Sequence, residues 1–263
     1  MSSLESILRR ERVITAFGIA GVVALSWGYL WTGAGMGMSA PDMTALTLFP
    51  HRLPADMGAM EASLPTVVLM WWVMMVAMMT PSATPLILLY RRVLRHHGTP
   101  GARSALLSVW LLAGYLAAWL AFSIGAASLQ LALQPAGLIS EMMLWSRSAL
   151  LSALVLAAAG AYQFSALKHA CLAQCRSPVG FLTAHWRAGA GGSFVLGVRH
   201  GVYCVGCCWV LMALLFVGGI MNLVWIGALS LMIFVEKILP RGEQIGRALG
   251  VVLIAWAWAT LLV

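Results

Sequence analysis

Seven stretches of this chain are almost free of charge, and each runs for roughly 18 to 25 residues, the length that carries a helix across a bilayer core. They fall near 13–31, 65–90, 104–131, 147–169, 196–216, 219–237 and 246–263. Only 9% of the residues are charged and 62% are hydrophobic, against about 25% charged in a soluble domain. Too few polar side chains remain to cover a water-exposed surface. The expected fold class is all-α, a polytopic transmembrane helical bundle of about seven spans forming one integral membrane domain over 1–263. No ten-residue alternation of apolar and polar residues supports a transmembrane barrel.

The net charge of +8 does not point to nucleic acid, because topology accounts for where the charges lie. A cytoplasmic N-terminus puts fourteen of the sixteen lysines and arginines inside and leaves only Arg52 and Arg147 outside. That asymmetry follows the positive-inside rule and predicts a multi-pass protein of a bacterial inner membrane. The first span is long for a signal peptide and lacks a small-residue cleavage site. Trp27 and Trp31 close it as interfacial anchors. The sixth and seventh spans are the least distinct, since the turn at Val217-Gly218-Gly219 is tight and the last run is short. With six spans the C-terminus would lie inside.

Three segments lie outside the spans. Residues 1–12 form a short cytoplasmic N-terminus. The loop 32–64 is external and rich in methionine (Met36, Met38, Met43, Met57, Met60), and it also carries Asp42, His51, Asp56 and Glu61. The loop 170–195 is cytoplasmic and holds Cys171, Cys175, His185 and a glycine tract at 189–192 that is expected to be flexible. No phosphate-binding loop, nucleotide fingerprint, serine elbow or haem-attachment run is present.

All five cysteines fall in the last hundred residues, on the cytoplasmic side or within the membrane. Reducing conditions there favour free thiols over disulfides. In the run from His200 to Trp209, a helix turning about 100° per residue places His200, Cys204 and Cys207 on one narrow stripe. Cys208 lies at its border and Tyr203 beside it. Thiols and imidazole are costly in a lipid-embedded helix, and a soft metal ion is the best physical reason to cluster them. Cu(I) accepts two or three soft ligands, whereas structural zinc requires four. Copper as Cu(I) is therefore expected, with zinc the weaker fit. The bland alternative is close helix packing through small residues such as Gly201 and Gly206. Thiol redox chemistry is a third reading.

A second cluster covers Tyr162 to Pro178. If the helix continues through it, Lys168, Cys171 and Cys175 share a face, and a nearby cation favours the metal-binding thiolate. His169 points elsewhere, and Pro178 is expected to end the helix. A third cluster lies on the second span, where Met70, Met74 and Met78 repeat every four residues and Met75 and Met79 form a row beside them. Thioethers suit Cu(I), but they also fill gaps against rings such as Trp71 and Trp72. On the sixth span Asn222 either caps a helix or supports the site. Glu236 and Lys237 are either solvated at the interface or, in the case of Glu236, tune a nearby metal from behind its ligands.

These motifs resemble a bacterial family described as predicted metal-binding integral membrane proteins of unknown function. The resemblance is carried by Trp72, Met75, Ala77, Met78, Met79 and Pro81. It continues through Tyr162-Gln163, Leu167-Lys168, Cys171-Leu172, Cys175-Arg176 and Pro178. It then runs from Gly197 through His200-Gly201, Tyr203-Cys204 and Gly206-Cys207-Cys208-Trp209 to Leu211-Met212. Gly219, Met221-Asn222-Leu223, Trp225 and Glu236-Lys237 complete it. Ser165-Ala166 stands where a Thr-Pro-like pair is expected, which bears on the local kink and not on the thiols. The resemblance covers roughly 65–240 and implies metal binding without naming a reaction.

The expected function is Cu(I) handling: external methionines collect the ion, the second span passes it inward and the cysteines hold it. A partner subunit or periplasmic metallochaperone would exchange the ion. The rivals are a membrane copper oxidase or monooxygenase, a thiol-redox carrier and a structural subunit. The oxidase is weakened because His200 is the only histidine placed in the membrane.

Overall fold

The computed structural model describes residues 3–35, 37, 39–52, 63–140 and 143–263, with side chains from residue 13 onward. The described residues are helical apart from turns and an isolated Ile139–Ser146 bridge. In chain order the helices are α1 (Ser3–Trp31), α2 (Leu64–His96), α3 (Gly101–Leu133), α4 (Ala149–Tyr162), α5 (Ala166–Arg176), α6 (Pro178–His185), α7 (Gly189–Ala213), α8 (Leu215–Gly218), α9 (Leu223–Ile238) and α10 (Gly242–Leu262). A 3-10 turn, Pro50–Arg52, lies between α1 and α2.

Among the described residues, five segments are long and apolar enough to cross a membrane: Val13–Trp31, Leu64–His96, Gly101–Leu133, Gly189–Gly218 and Gly242–Leu262. The expected span at 147–169 is a broken pair, with α4 and α5 meeting at a 62° bend. Counting that pair as one crossing gives six. The run expected at 219–237 forms α9, whose 16 residues fall short of the ~20 needed to span alone. Its first four positions are used by the turn that follows α8. The glycine tract 189–192, expected to be flexible, forms the first turn of α7.

Local chemistry sets these boundaries. The α4–α5 break has no proline. The chain turns through Gln163 and Phe164, and the Ser165 hydroxyl then accepts a hydrogen bond from the Lys168 amide at 3.1 Å, starting a new helix as an N-cap does. Pro81 and Pro85 sit inside α2, where each removes a backbone donor. The hydroxyls of Ser82 and Thr84 donate back to the Met79 and Thr80 carbonyls at 2.8 and 3.1 Å, so both hydroxyls are satisfied within the helix.

The core is closed by small-residue crossings. A Cβ at Gly114 on α3 would stand 2.0 Å from the Phe194 carbonyl oxygen on α7, and one at Gly197 would stand 2.0 Å from that of Leu111. The two backbones therefore touch, as in membrane helix pairs held by packing alone. Trp71 on α2 is fully buried and donates to Gln130 on α3 at 2.8 Å. These contacts hold α2, α3 and α7 around the thiol-bearing face of α7.

Candidate metal centre

Cys204, Cys207 and Cys208 on α7 are all buried, and α3, α5 and α9 pack against the helix around them. One turn before them, His200 is buried between Tyr115 and Phe181, with ring centroids 5.7 and 5.1 Å away. Its Nδ1 has no hydrogen-bond partner among the described residues. A buried polar atom without a partner is costly, so His200 is equipped to take an external acceptor or ligand.

The Cys204 sulfur is the hub. Lys237 from α9 reaches it at 2.9 Å and also contacts the Ser82 hydroxyl at 3.1 Å. The Tyr115 hydroxyl from α3 lies 3.1 Å from the same sulfur and donates to the Met79 carbonyl at 3.0 Å. Cys175 from α5 lies near Cys204 and Cys207. Four thiols from two helices thus meet beside one ammonium. No carboxylate among the described residues forms an ion pair with Lys237. The fifth thiol, Cys171, rests against α7 at Gly206, where a Cβ would stand 2.7 Å from its sulfur.

The thiols are close but not splayed around a shared centre. Those of Cys207 and Cys208 both donate to the Cys204 carbonyl at 3.0 Å. Among the described residues, no group of three or more His, Cys, Asp or Glu side chains is arranged to hold a metal ion. The thiols must rotate off that carbonyl before they can share one.

Lys168 does not stand beside the cysteines of its own helix. Its ammonium pairs with Glu236 at 2.7 Å, both side chains being at most 3% exposed, and it also donates to the Gln163 side-chain oxygen. The cation at the thiols is Lys237, which sequence spacing did not single out. Glu236 and Lys237 are both buried, unlike the solvated pair that remained one reading of the sequence. Asn222 caps α9 by accepting from the Val224 and Trp225 amides at 3.1 and 3.4 Å, and it donates to the Ala45 and Gly218 carbonyls. Tyr203 faces Phe181 and His185, each about 6.2 Å away by ring centroids.

The methionine rows Met70, Met74, Met78 and Met75, Met79 are all buried in the core that contains the thiols. Met79 joins the hub through its carbonyl and Tyr115. Of the loop between α1 and α2, Met43 is buried and Asp42 accepts from the Ser39 hydroxyl at 2.5 Å. Burial, and then the neighbouring Arg52, hold the His51 imidazole below the usual histidine range, which favours the neutral form that ligates metals. Met36, Met38, Asp56, Met57, Met60 and Glu61 lie outside the described residues.

The chain matches the copper chaperone family PpoB2 over residues 68–260. It belongs to that family. The matched region includes the methionine rows, the α5 and α7 thiols, Glu236 and Lys237. No curated protein and no solved structure matches the chain. The donor set suits a copper chaperone family member, because thiols and thioethers are the soft ligands that select Cu(I). The sequence reads Lys237 only as a solvated interfacial residue and does not single out Tyr115, for a physical reason. A lysine at the end of an apolar run ordinarily snorkels to water, and a lone tyrosine carries no metal-ligand pattern.

Proposed function

We propose that the chain binds copper as Cu(I) in a bacterial inner membrane and delivers it or passes it across, with two thiolates drawn from Cys204, Cys207, Cys208 and Cys175 as the holding ligands. His200 serves as an auxiliary donor and Cys171 as a neighbouring relay thiol. The N-terminus lies in the cytoplasm. α9 and the bent α4–α5 pair complete a seven-segment bundle. The buried methionine rows provide soft donors along the path, and the α1–α2 loop provides the external entry. The observation that carries this reading is the gathering of four thiols near Lys237, an ammonium with no carboxylate partner among the described residues, at the buried core. A Cu(I) ion held by two thiolates carries a net charge of −1, which that ammonium balances. Charge balance of this kind makes a buried ionic site tolerable, and membership of a copper chaperone family supports the choice of ion.

The test is metal analysis of purified protein loaded with Cu(I). The wild type retains near-stoichiometric copper, and a Cys204→Ser/Cys207→Ser/Cys208→Ser variant loses it. A variant that keeps full copper removes the assignment. Recovery of a reversible disulfide with no metal in the wild type would favour thiol redox chemistry instead. Substrate-dependent oxygen uptake would favour an oxidase.

A further inference from the structure

A second polar site lies away from the thiols, at the end of the bundle where α2 ends and α3 and α7 begin. A cavity of about 470 Å³ opens there, lined by His97, Arg103 and Arg187 over a floor that includes Tyr90, Leu107 and Trp186. None of its lining residues is acidic. Arg103 and Arg187 are exposed, and neither has an ion-pair partner among the described residues. The starts of α3 and α7 also border the cavity. Pro100 and Ala188 stand at their cap positions, neither supplies a side-chain cap, and neither first turn contains an acid. Two helix N-termini therefore present unsatisfied N–H groups and positive dipole ends to the same space.

A neighbouring groove of about 400 Å³ gives this basic cavity its meaning. It is walled by Leu89, Val93, Val179 and Leu182, and it shares His97 and Trp186 with the cavity. A cationic basin thus passes across one imidazole and one indole into an apolar trough. A free anion has no use for the trough, and an alkyl chain has no use for the arginines. An anionic phospholipid needs both. Basic hollows between membrane helices at the cytoplasmic leaflet are where such headgroups bind, and Trp186 is the type of residue found at headgroup depth.

We infer that this cavity and groove form a binding site for an anionic phospholipid, with the phosphate against Arg103 and Arg187 and the start of an acyl chain along Val93, Val179 and Leu182. The site does not depend on the copper reading.

The experiment is native mass spectrometry of the full chain in detergent micelles titrated with phosphatidylglycerol, phosphatidylcholine or inorganic phosphate. The wild type retains about one phosphatidylglycerol in preference to phosphatidylcholine. The exposed Arg103→Gln/Arg187→Gln variant loses that retention by roughly tenfold or more, since each basic residue near an anionic headgroup contributes on the order of 1 kcal/mol. Val179→Asp, at the exposed wall of the groove, weakens the lipid while leaving inorganic phosphate unaffected. Unchanged melting temperatures show that the variants fold. Equal retention by the double variant, or equal retention of phosphatidylcholine, overturns the site. Displacement of the lipid by equimolar inorganic phosphate overturns the lipid as occupant.

Discussion

Two lysines are buried in this bundle, and they are treated in opposite ways. Lys168 is closed off, with Glu236 at 2.7 Å and the Gln163 side chain satisfying it further. Lys237 follows Glu236 in the sequence, but on a helix the next side chain points about 100° away. It faces the Cys204 sulfur and the Ser82 hydroxyl. The first ammonium carries its own counter-charge and holds α5 to α9. The second is left open to whatever negative charge gathers on the thiols. The comparison teaches that a buried charge in a membrane protein is not in itself a functional mark. The partner decides, and a carboxylate closes a site that a thiol leaves open.

The sharpest way to break this contrast is Glu236→Gln. It leaves Lys168 buried without a carboxylate, and removing one member of a buried pair costs about 3–5 kcal/mol. Thermal unfolding in detergent should show a large loss, and a Lys168→Met/Glu236→Leu double variant should recover most of it. Next in size is Lys237→Met. It should lower Cu(I) affinity about tenfold, equivalent to about 1.4 kcal/mol, in competition with a Cu(I) chelator. Its melting temperature should stay near that of the wild type, and Lys237→Arg should retain part of the affinity. If Lys237→Met unfolds as Glu236→Gln does, the two lysines are alike and the contrast fails.

Two further substitutions sharpen the picture. Gly206→Ala places a Cβ 2.7 Å from the Cys171 sulfur, and overpacking of this kind costs about 1–3 kcal/mol. Adding Cys171→Ala should relieve it, as the melting temperature will report. Asn222→Ala should cost about 1 kcal/mol through its cap and leave copper stoichiometry unchanged. A loss of copper there would move Asn222 from the helix end to the metal centre.

The long helices were legible because an apolar run of bilayer length has few other folds open to it. The interruption after Tyr162 was harder to see. Its signal is a single capping serine and not a proline, and the apolar pattern runs across it. The α7 stripe of His200, Cys204 and Cys207 was visible from helical spacing alone, since one rigid helix fixes it. Convergence from other helices was not. Sequence spacing placed Lys168 with Cys171 and Cys175, but the side chain is long enough to leave that face for Glu236 on α9. Glu236 and Lys237 stand at the inner end of an apolar run, where the sequence alone leaves open both a solvated interfacial pair and a carboxylate tuning a metal from behind its ligands. Rotation about α9 separates them, and only the packing of α2, α5, α7 and α10 around it shows where each one goes.

The contact between α3 and α7 at Gly114 and Gly197 has a mechanical consequence. Two backbones already in touch leave no slack for sliding or rolling, so the cysteines of α7 ride on a stiff double post. α5 is different: it hangs from a 62° elbow and meets the post at the notch of Gly206. The Lys168–Glu236 pair ties this short arm to α9, so the post is held by bare backbone contact and the arm by a buried ion pair.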